Sequence, residues 1–465
     1  MRLRGILGTF STLLVGHTLG KLLGVVSSSI VGRALGPSSL GVLGAALTGV
    51  SYLVVISNFG QDATAISLVA VRPELSRPLR RSVLRIRLVV AAVIVSLSLV
   101  VAITQRWSLA LVAPLLASVL VYGLRADWLL LGIGRPKAVA VSSIIRELAY
   151  LLLVAGIVAR WRTVVSAAVC YLLAELVWAG ATQIFLRRLH PQRAEDRLPT
   201  SELLAAGWPI GVMGLMSLTY NKIDTPLLAA LRGTNEAGLY WAAYTIMFAV
   251  MGVAAVLSRS ALPEMARTHS SSHELTPTGI HLLVLWTALC GGAAAVTLSG
   301  SAGLAMRALY GPEFDPAVPA LRLLSLSLPL NFASGILLNY LVASGRRGPL
   351  AIGALLAAVA NVGLNLWLIP HEGMRGAAIA TLASESVLLA TGIVGAGVSL
   401  WGRMLIPSLF WIVTVTASVA MFLPRFAALP SLPLSLIALI VYAAMASPLL
   451  ILHRGVSRRG GKHRA

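Results

Sequence analysis

The chain has 465 residues, 57% of them hydrophobic and 11% charged, with a mean hydropathy of +0.87. Soluble domains carry about 25% charged residues, so this composition excludes a water-soluble globular fold and calls for a bilayer as solvent. The net charge of +21 would suit nucleic acid, but the basic residues sit in short loops between apolar runs, where they set topology and meet anionic headgroups.

In chain order, Met1-Arg-Leu-Arg4 and the apolar run behind it look like the start of a signal peptide. The run reaches about Val31 without a small-residue cleavage site, so it reads as a retained first span. Fourteen apolar segments of roughly the ~20 residues that cross hydrocarbon then follow one another. The first six are 9–32, 40–70, 84–104, 108–132, 138–159 and 164–186; the next six are 203–231, 237–258, 280–300, 317–343, 350–369 and 376–400. A final pair, 403–423 and 432–452, precedes a basic end. The second and seventh are long enough to contain breaks, and Pro209 and Pro226 in the seventh would free backbone carbonyls, tolerated only beside protein or a cavity. Strands of a membrane barrel would alternate polar and apolar residues, and these runs do not. The predicted fold is therefore all-α and polytopic, with about fourteen transmembrane helices.

Between the first two runs lies Arg33-Ala-Leu-Gly-Pro-Ser-Ser-Leu-Gly41, and Leu231-Arg-Gly-Thr-Asn-Glu-Ala-Gly238 repeats its grammar. Gly36 and Gly41 map onto Gly233 and Gly238 at a single offset of 197 residues, and an apolar helix bearing a lysine (Lys21, Lys222) precedes each turn. Spacing and order together predict two related halves with the pathway between them. The expected division is a first lobe over 1–186, a cytoplasmic linker over 187–202, a second lobe over 203–402, a helix pair over 403–452 and a basic tail over 453–465. Counted with a cytoplasmic N-terminus, 24 of the 37 basic residues fall on the inner side, Arg87 among them, and 8 on the outer. The positive-inside rule then puts both termini in the cytoplasm.

Charged residues inside apolar runs cost at least about 2.5–3.5 kcal/mol each at a helix centre, so they must face an interior or a wet cavity. Lys21, Arg125, Asp127, Arg146, Glu147, Glu175, Lys222, Asp224, Arg322 and Glu385 fall in such places, with Asp62 nearer an end. Each has two readings, cavity lining or structural pairing between helices. Arg125 and Asp127 are two apart, as are Lys222 and Asp224, and neither pair meets on a regular helix. Cys170 and Cys290 predict no disulfide framework. His269 and His273 have no third ligand nearby, so no metal site is expected. The glycines form neither a dinucleotide fingerprint nor a phosphate loop, and no loop is large enough for a catalytic domain.

Several stretches carry a resemblance. Gly32-Arg-Ala-Leu-Gly-Pro-Ser-Ser-Leu-Gly41, Asn58-Phe-Gly-Gln-Asp-Ala-Thr64 and Leu309-Tyr-Gly-Pro-Glu-Phe-Asp-Pro-Ala317 are similar to motifs of the polysaccharide-biosynthesis (Wzx-type) flippases. So are Leu321-Arg-Leu-Leu324, Asn361-x-x-x-Asn365, Pro370 and Gly373-x-x-Gly376-Ala-Ala-Ile-Ala-Thr381. That family sits in the superfamily of MurJ-like lipid II flippases and MATE exporters. The resemblance implies two six-helix lobes related by a pseudo-twofold axis, in a non-enzymatic, multi-pass protein of the plasma (inner) membrane. It implies a polyprenyl-pyrophosphate-linked glycan moved outward by alternating access, with the bilayer, a polysaccharide polymerase and glycosyltransferases as further partners. A pyrophosphate needs cationic donors, for which Lys21, Arg125, Arg146 and Lys222 are the candidates. Coupling to a proton or sodium gradient needs an acid, for which Asp62, Glu175 and Asp224 are the candidates, and no other cofactor is expected. A MATE-like exporter of cations and a lipid II flippase are the rival readings.

Overall fold

The computed structural model describes residues 3–187, 200–270 and 277–397, with Ser408, Leu409, 412–416, Ile440 and Tyr442. The predicted linker, most of the last helix pair and the basic tail lie outside these residues. Every regular element among those described is helical.

The first helix, α1 (Leu3–Asn58), joins two predicted spans. Gly36 divides it, with φ 76 and ψ 173, a conformation that side chains disfavour and glycine accepts. Pro37 follows and supplies no backbone donor across the break. The 40-residue stretch Leu19–Asn58 would reach about 60 Å as one straight rod, twice the hydrocarbon thickness, so the break at Gly36 leaves each leg nearer the length of one crossing. Phe59 and Gly60 also take positive φ, and α2 (Gln61–Val71) starts beyond them. The break expected in the long second segment falls there.

A short turn leads into α3 (Ser76–Thr104), which begins well before the predicted 84. Its first turns carry arginines, which pull hydropathy down without preventing a helix. Val89, Val93, Leu97 and Val100 form an exposed apolar stripe along it, whereas Leu79, Val83, Ile86 and Ala91 are buried on another face. A stripe of that kind facing outward suits lipid, not water. Arg87 shares the buried side at 1% exposure. Arg87 is therefore not a loop residue: it is a buried residue of a long apolar helix, concealed in the sequence by the arginines just before it.

The fourth predicted span is α4 (Leu109–Gly123) and α5 (Asp127–Gly132) with an irregular join. Then come α6 (Pro136–Leu153), a π turn over Val154–Val158, the short α7 (Ala159–Trp161) and α8 (Val164–Arg187). The long seventh segment also breaks, into α9 (Thr200–Lys222) and α10 (Asp224–Leu231). Pro209 lies inside α9, whereas Pro226 falls in the first turn of α10, where a missing N–H costs nothing. α11 (Thr234–Ser270) and α12 (Pro277–Leu309) follow. A 3-10 turn leads to α13 (Val318–Ser325), bent by 42° from α14 (Leu328–Ala343), and α15 (Arg347–Glu372) and α16 (Met374–Ala396) complete the series.

Among the described residues eight helices are long and apolar enough to cross a membrane, nine with the bent pair, so the protein is a multi-pass membrane protein. The helices gather into two compact units, 1–241 and 242–465. Unit 1 has cores around Val69, Val83, Trp128 and Leu130 and around Val50, Leu115, Val119 and Ala168. Unit 2 is built on Val284, Ala288, Ile336, Leu337 and Leu389.

Within unit 1 the two glycine turns meet. A Cβ on Gly41 would fall 1.8 Å from the Thr234 carbonyl oxygen, and one on Gly238 would fall 1.8 Å from the Pro37 carbonyl oxygen. The 197-residue offset that maps Gly41 to Gly238 also maps Pro37 to Thr234, so the contact is its own image under the repeat. Ser38 and Thr234 hydroxyls close it with a 2.8 Å hydrogen bond. Only glycine lets two backbones approach this closely.

Candidate functional site

The site lies inside unit 1, on α1, α6, α8 and α9 and at the join of α4 with α5. At that join the regular hydrogen bonding lapses over Leu124–Ala126. The freed backbone groups find partners on α8: the Ala126 N–H donates to the Thr182 hydroxyl at 3.3 Å, and the Gln183 amide donates to the Leu124 carbonyl at 2.6 Å. A break inside a membrane helix requires such replacement partners. It also changes which side chains face each other. Arg125 donates to Asp127 at 2.7 Å, so the expectation that residues two apart fail to meet is overturned, because no regular helix joins them.

Arg125 and Arg146 share one acid. Glu175 on α8 lies 3.6 Å from Arg125 and 3.0 Å from Arg146, and it is 4% exposed. Arg146 also pairs with its neighbour Glu147. Aromatic rings wall the two guanidiniums. Arg125 lies 3.2 Å from the ring centroid of Trp178 and 4.7 Å from that of Tyr122, and Arg146 sits 5.4 Å from Tyr171 and 5.8 Å from Trp178. Ring faces attract cations, most strongly where water is excluded.

The two lysines complete the cluster. α1 passes α6 so closely that a Cβ on Gly20 would touch the Glu147 side chain at 3.5 Å, which brings the next residue, Lys21, to the same place. Lys21 is within electrostatic reach of Glu147 and of Lys222, and Lys222 of Arg146. All four predicted substrate ligands, Lys21, Arg125, Arg146 and Lys222, therefore belong to one connected group. The acids are committed to the arginines, and three cations from α1, α6 and α9 converge where Lys222 forms no ion pair with any described residue. An anion entering there would meet positive charge without first displacing a carboxylate from Lys222.

The three predicted coupling acids separate. Glu175 is inside the cluster as the shared counter-charge. Asp62 begins α2 and pairs with Arg87; Asn58 donates to it at 2.9 Å and the Tyr122 hydroxyl at 3.2 Å. Tyr122 thus stands between the Arg87–Asp62 pair and Arg125, with the two guanidiniums 5.4 and 4.7 Å from its ring. Asp224, 1% exposed at the start of α10, accepts a 2.6 Å hydrogen bond from the Tyr240 hydroxyl.

Sequence reasoning missed Arg87, Trp178 and Tyr122. Arg87 was legible only as part of an arginine run. Aromatic side chains at helical spacing give no sign that they stack on cations. Among the described residues no group of three His, Cys, Asp or Glu side chains could hold a metal, and the side chains of His269 and His273 lie outside them. In unit 2, Asn361 and Asn365 of the quoted motif are fully buried and hydrogen-bonded to each other at 2.9 Å.

Comparison with known proteins bears on this geometry. Residues 6–269, more than half of the chain, match the family described as polysaccharide biosynthesis protein. The comparison with curated proteins found no match. Among solved structures, the lipid II flippase MurJ in an inward closed conformation is similar in fold, with a TM-score of 0.78 at 14% identity over 96% of this chain and 99% of that one. A MOP-superfamily transporter from Pyrococcus furiosus, described as having a binding pocket of reversed polarity, gives 0.59 at 17% identity over 86% of this chain and 96% of its own. A multidrug-resistance MATE transporter in its inward-facing conformation gives 0.59 at 19% identity over 84% and 95%. At such identities the likeness is one of fold.

Proposed function

Because the chain belongs to the family of polysaccharide biosynthesis proteins, we propose that it is a flippase for a polyprenyl-pyrophosphate-linked oligosaccharide, carrying the headgroup from the cytoplasmic to the outer leaflet of the plasma membrane. The observation that carries this reading is the packing of α1 against α6 and α9, which gathers Lys21, Arg146 with its partner Glu147, and Lys222 in one apolar helical unit. A pyrophosphate bearing a sugar cannot cross ~30 Å of hydrocarbon unaided. Lysine and arginine donors supply charge-assisted hydrogen bonds to its oxygens, and the prenyl tail stays in lipid beside the bundle. Glu175 and Glu147 hold Arg146 in place, and the lysines add compact point charges on flexible stems.

Alternating access fits the reciprocal glycine contact, since backbones that touch without side chains can part and slide with little repacking. The excess of basic loop residues supports cytoplasmic termini, and removing Arg87 from that count leaves the bias intact. The cation-exporter alternative asks for acids open to a cationic drug, whereas Asp62, Asp127, Glu147 and Glu175 are each bound to an arginine. A lipid II flippase makes the same demand on the basic cluster and differs in the headgroup carried.

The test is translocation in proteoliposomes. A labelled polyprenyl-pyrophosphate oligosaccharide should become accessible on the far leaflet only when the protein is present. Movement of a cationic dye without movement of the lipid-linked sugar would overturn the reading in favour of an exporter, and movement of lipid II alone would transfer it to peptidoglycan precursors.

A further inference from the structure

Unit 2 contains a buried acid of a different kind from the arginine-bound acids of unit 1, Asp62, Asp127, Glu147 and Glu175. Glu385 lies midway along α16, is 2% exposed, and forms no ion pair with any described residue. Among the described residues its polar partner is Asn331 on α14, whose amide nitrogen lies 3.2 and 3.3 Å from the two carboxyl oxygens. Among the described helices, α13, α14 and α15 pack against α16, and Leu409 and Ile412 share a core with its Leu389 and Ala396. α14 has no charged side chain, only Tyr340 as a titratable group, and α13 has only Arg322. The charged or titratable residues of α15, namely Arg347, His371 and Glu372, lie at its two ends. Arg375, on α16 itself, stands ten residues before Glu385, about 15 Å along the helix. Nearby hydroxyls are occupied as well: Thr381, Ser384 and Ser386 donate to carbonyls of their own helix.

An ionised carboxylate with no counter-charge is among the most costly groups to keep in an apolar interior, and a bound proton removes that cost. The partner suits such a change. A primary amide offers N–H donors on one side and a carbonyl acceptor on the other, so Asn331 serves a carboxylate in one orientation and a carboxylic acid in the other. A lysine or arginine at this position would instead fix the negative charge.

We propose that Glu385, with Asn331, is a proton-binding site of unit 2, loaded when α14 and α16 are closed on it and emptied when water reaches it during the transport cycle. The proton passes from water to a Glu385 carboxyl oxygen and back, and no other bond changes. The loaded site needs no assumption about the cargo. Its coupling to transport rests on the flippase reading given above.

The experiment uses the full chain in lipid vesicles. Infrared spectra at neutral pH should show the carbonyl stretch of a buried protonated acid, lost in Glu385→Gln and kept, displaced, in Glu385→Asp. The glutamine keeps the volume and hydrogen-bonding capacity of the native side chain. In transport assays an imposed proton gradient should accelerate sugar translocation by the native protein and by Glu385→Asp, with that acceleration lost in Glu385→Gln while gradient-free exchange persists. Identical infrared spectra for the native protein and Glu385→Gln would overturn the proton site whatever the cargo proves to be. Full proton acceleration in Glu385→Gln would overturn its coupling. Loss of the band without any sugar movement by the native protein would uphold the site and count against the flippase reading alone.

Discussion

The two units treat buried charge in opposite ways. In unit 1 three arginines, Arg87, Arg125 and Arg146, are matched to Asp62, Asp127, Glu147 and Glu175 and walled by Tyr122, Tyr171 and Trp178. In unit 2 the described interior holds Glu385 against a neutral amide, and a pair of asparagines against each other. A matched network spends its acids on holding cations in position. A lone acid beside an amide holds nothing in place and is suited to gaining and losing a proton. The same residue type, glutamate within a membrane helix, thus serves as a fixed counter-charge at 175 and as a titratable site at 385.

The sharpest test of that contrast is a matched pair of substitutions. Glu175→Gln should destabilise unit 1 by about 1.5–3 kcal/mol, because two buried guanidiniums lose the carboxylate they share and each keeps only one acid, Asp127 or Glu147. Glu385→Gln should leave stability almost unchanged, since no ion pair is broken there. Thermal unfolding in detergent compares them directly, and equal effects would erase the distinction. Similar in size, Lys222→Ala should weaken binding of the pyrophosphate lipid by about 1.5–3 kcal/mol, the worth of one charge-assisted hydrogen bond, without lowering the unfolding temperature. A fall in unfolding temperature with affinity intact would make Lys222 a structural residue. Gly41→Ala places a methyl group against the Thr234 carbonyl and should cost about 1–3 kcal/mol of stability through forced backbone movement. Its repeat partner, Gly238→Ala, should behave alike, and a large difference between them would weaken the twofold relation of the turns. Smallest, Trp178→Leu removes the ring against Arg125 and should cost about 0.5–2 kcal/mol, read in the same unfolding assay.

How much of this was legible in the sequence depends on whether the signal is local. Lys21, Arg125, Arg146 and Lys222 stood out because charges interrupt apolar runs, and the structure gathers all four. Gly36-Pro37 announced its own break, and the long second and seventh segments announced theirs by length. What escaped was set by tertiary contacts. Arg87 looks like one more loop arginine until α3 is seen to begin at Ser76 and Asp62 to reach it. Arg125 and Asp127 were judged by regular helix geometry, which Thr182 and Gln183 of α8 abolish by capturing the backbone at Leu124–Ala126. Glu385 was visible as an intramembrane charge, but nothing in a single sequence shows that Asn331, 54 residues earlier, is its partner and that no cation among the described residues pairs with it. The repeat was readable as a spacing of 197; that Gly41 and Gly238 touch each other was not.

The most direct test of the central claim is the affinity of the purified protein in nanodiscs for a polyprenyl pyrophosphate compared with the uncharged polyprenol. The native protein should prefer the pyrophosphate, and Lys21→Ala/Lys222→Ala together should reduce that preference by about tenfold or more per lysine while the polyprenol binds as before. An unchanged preference in the double variant would show that the cationic cluster of unit 1 does not receive the headgroup.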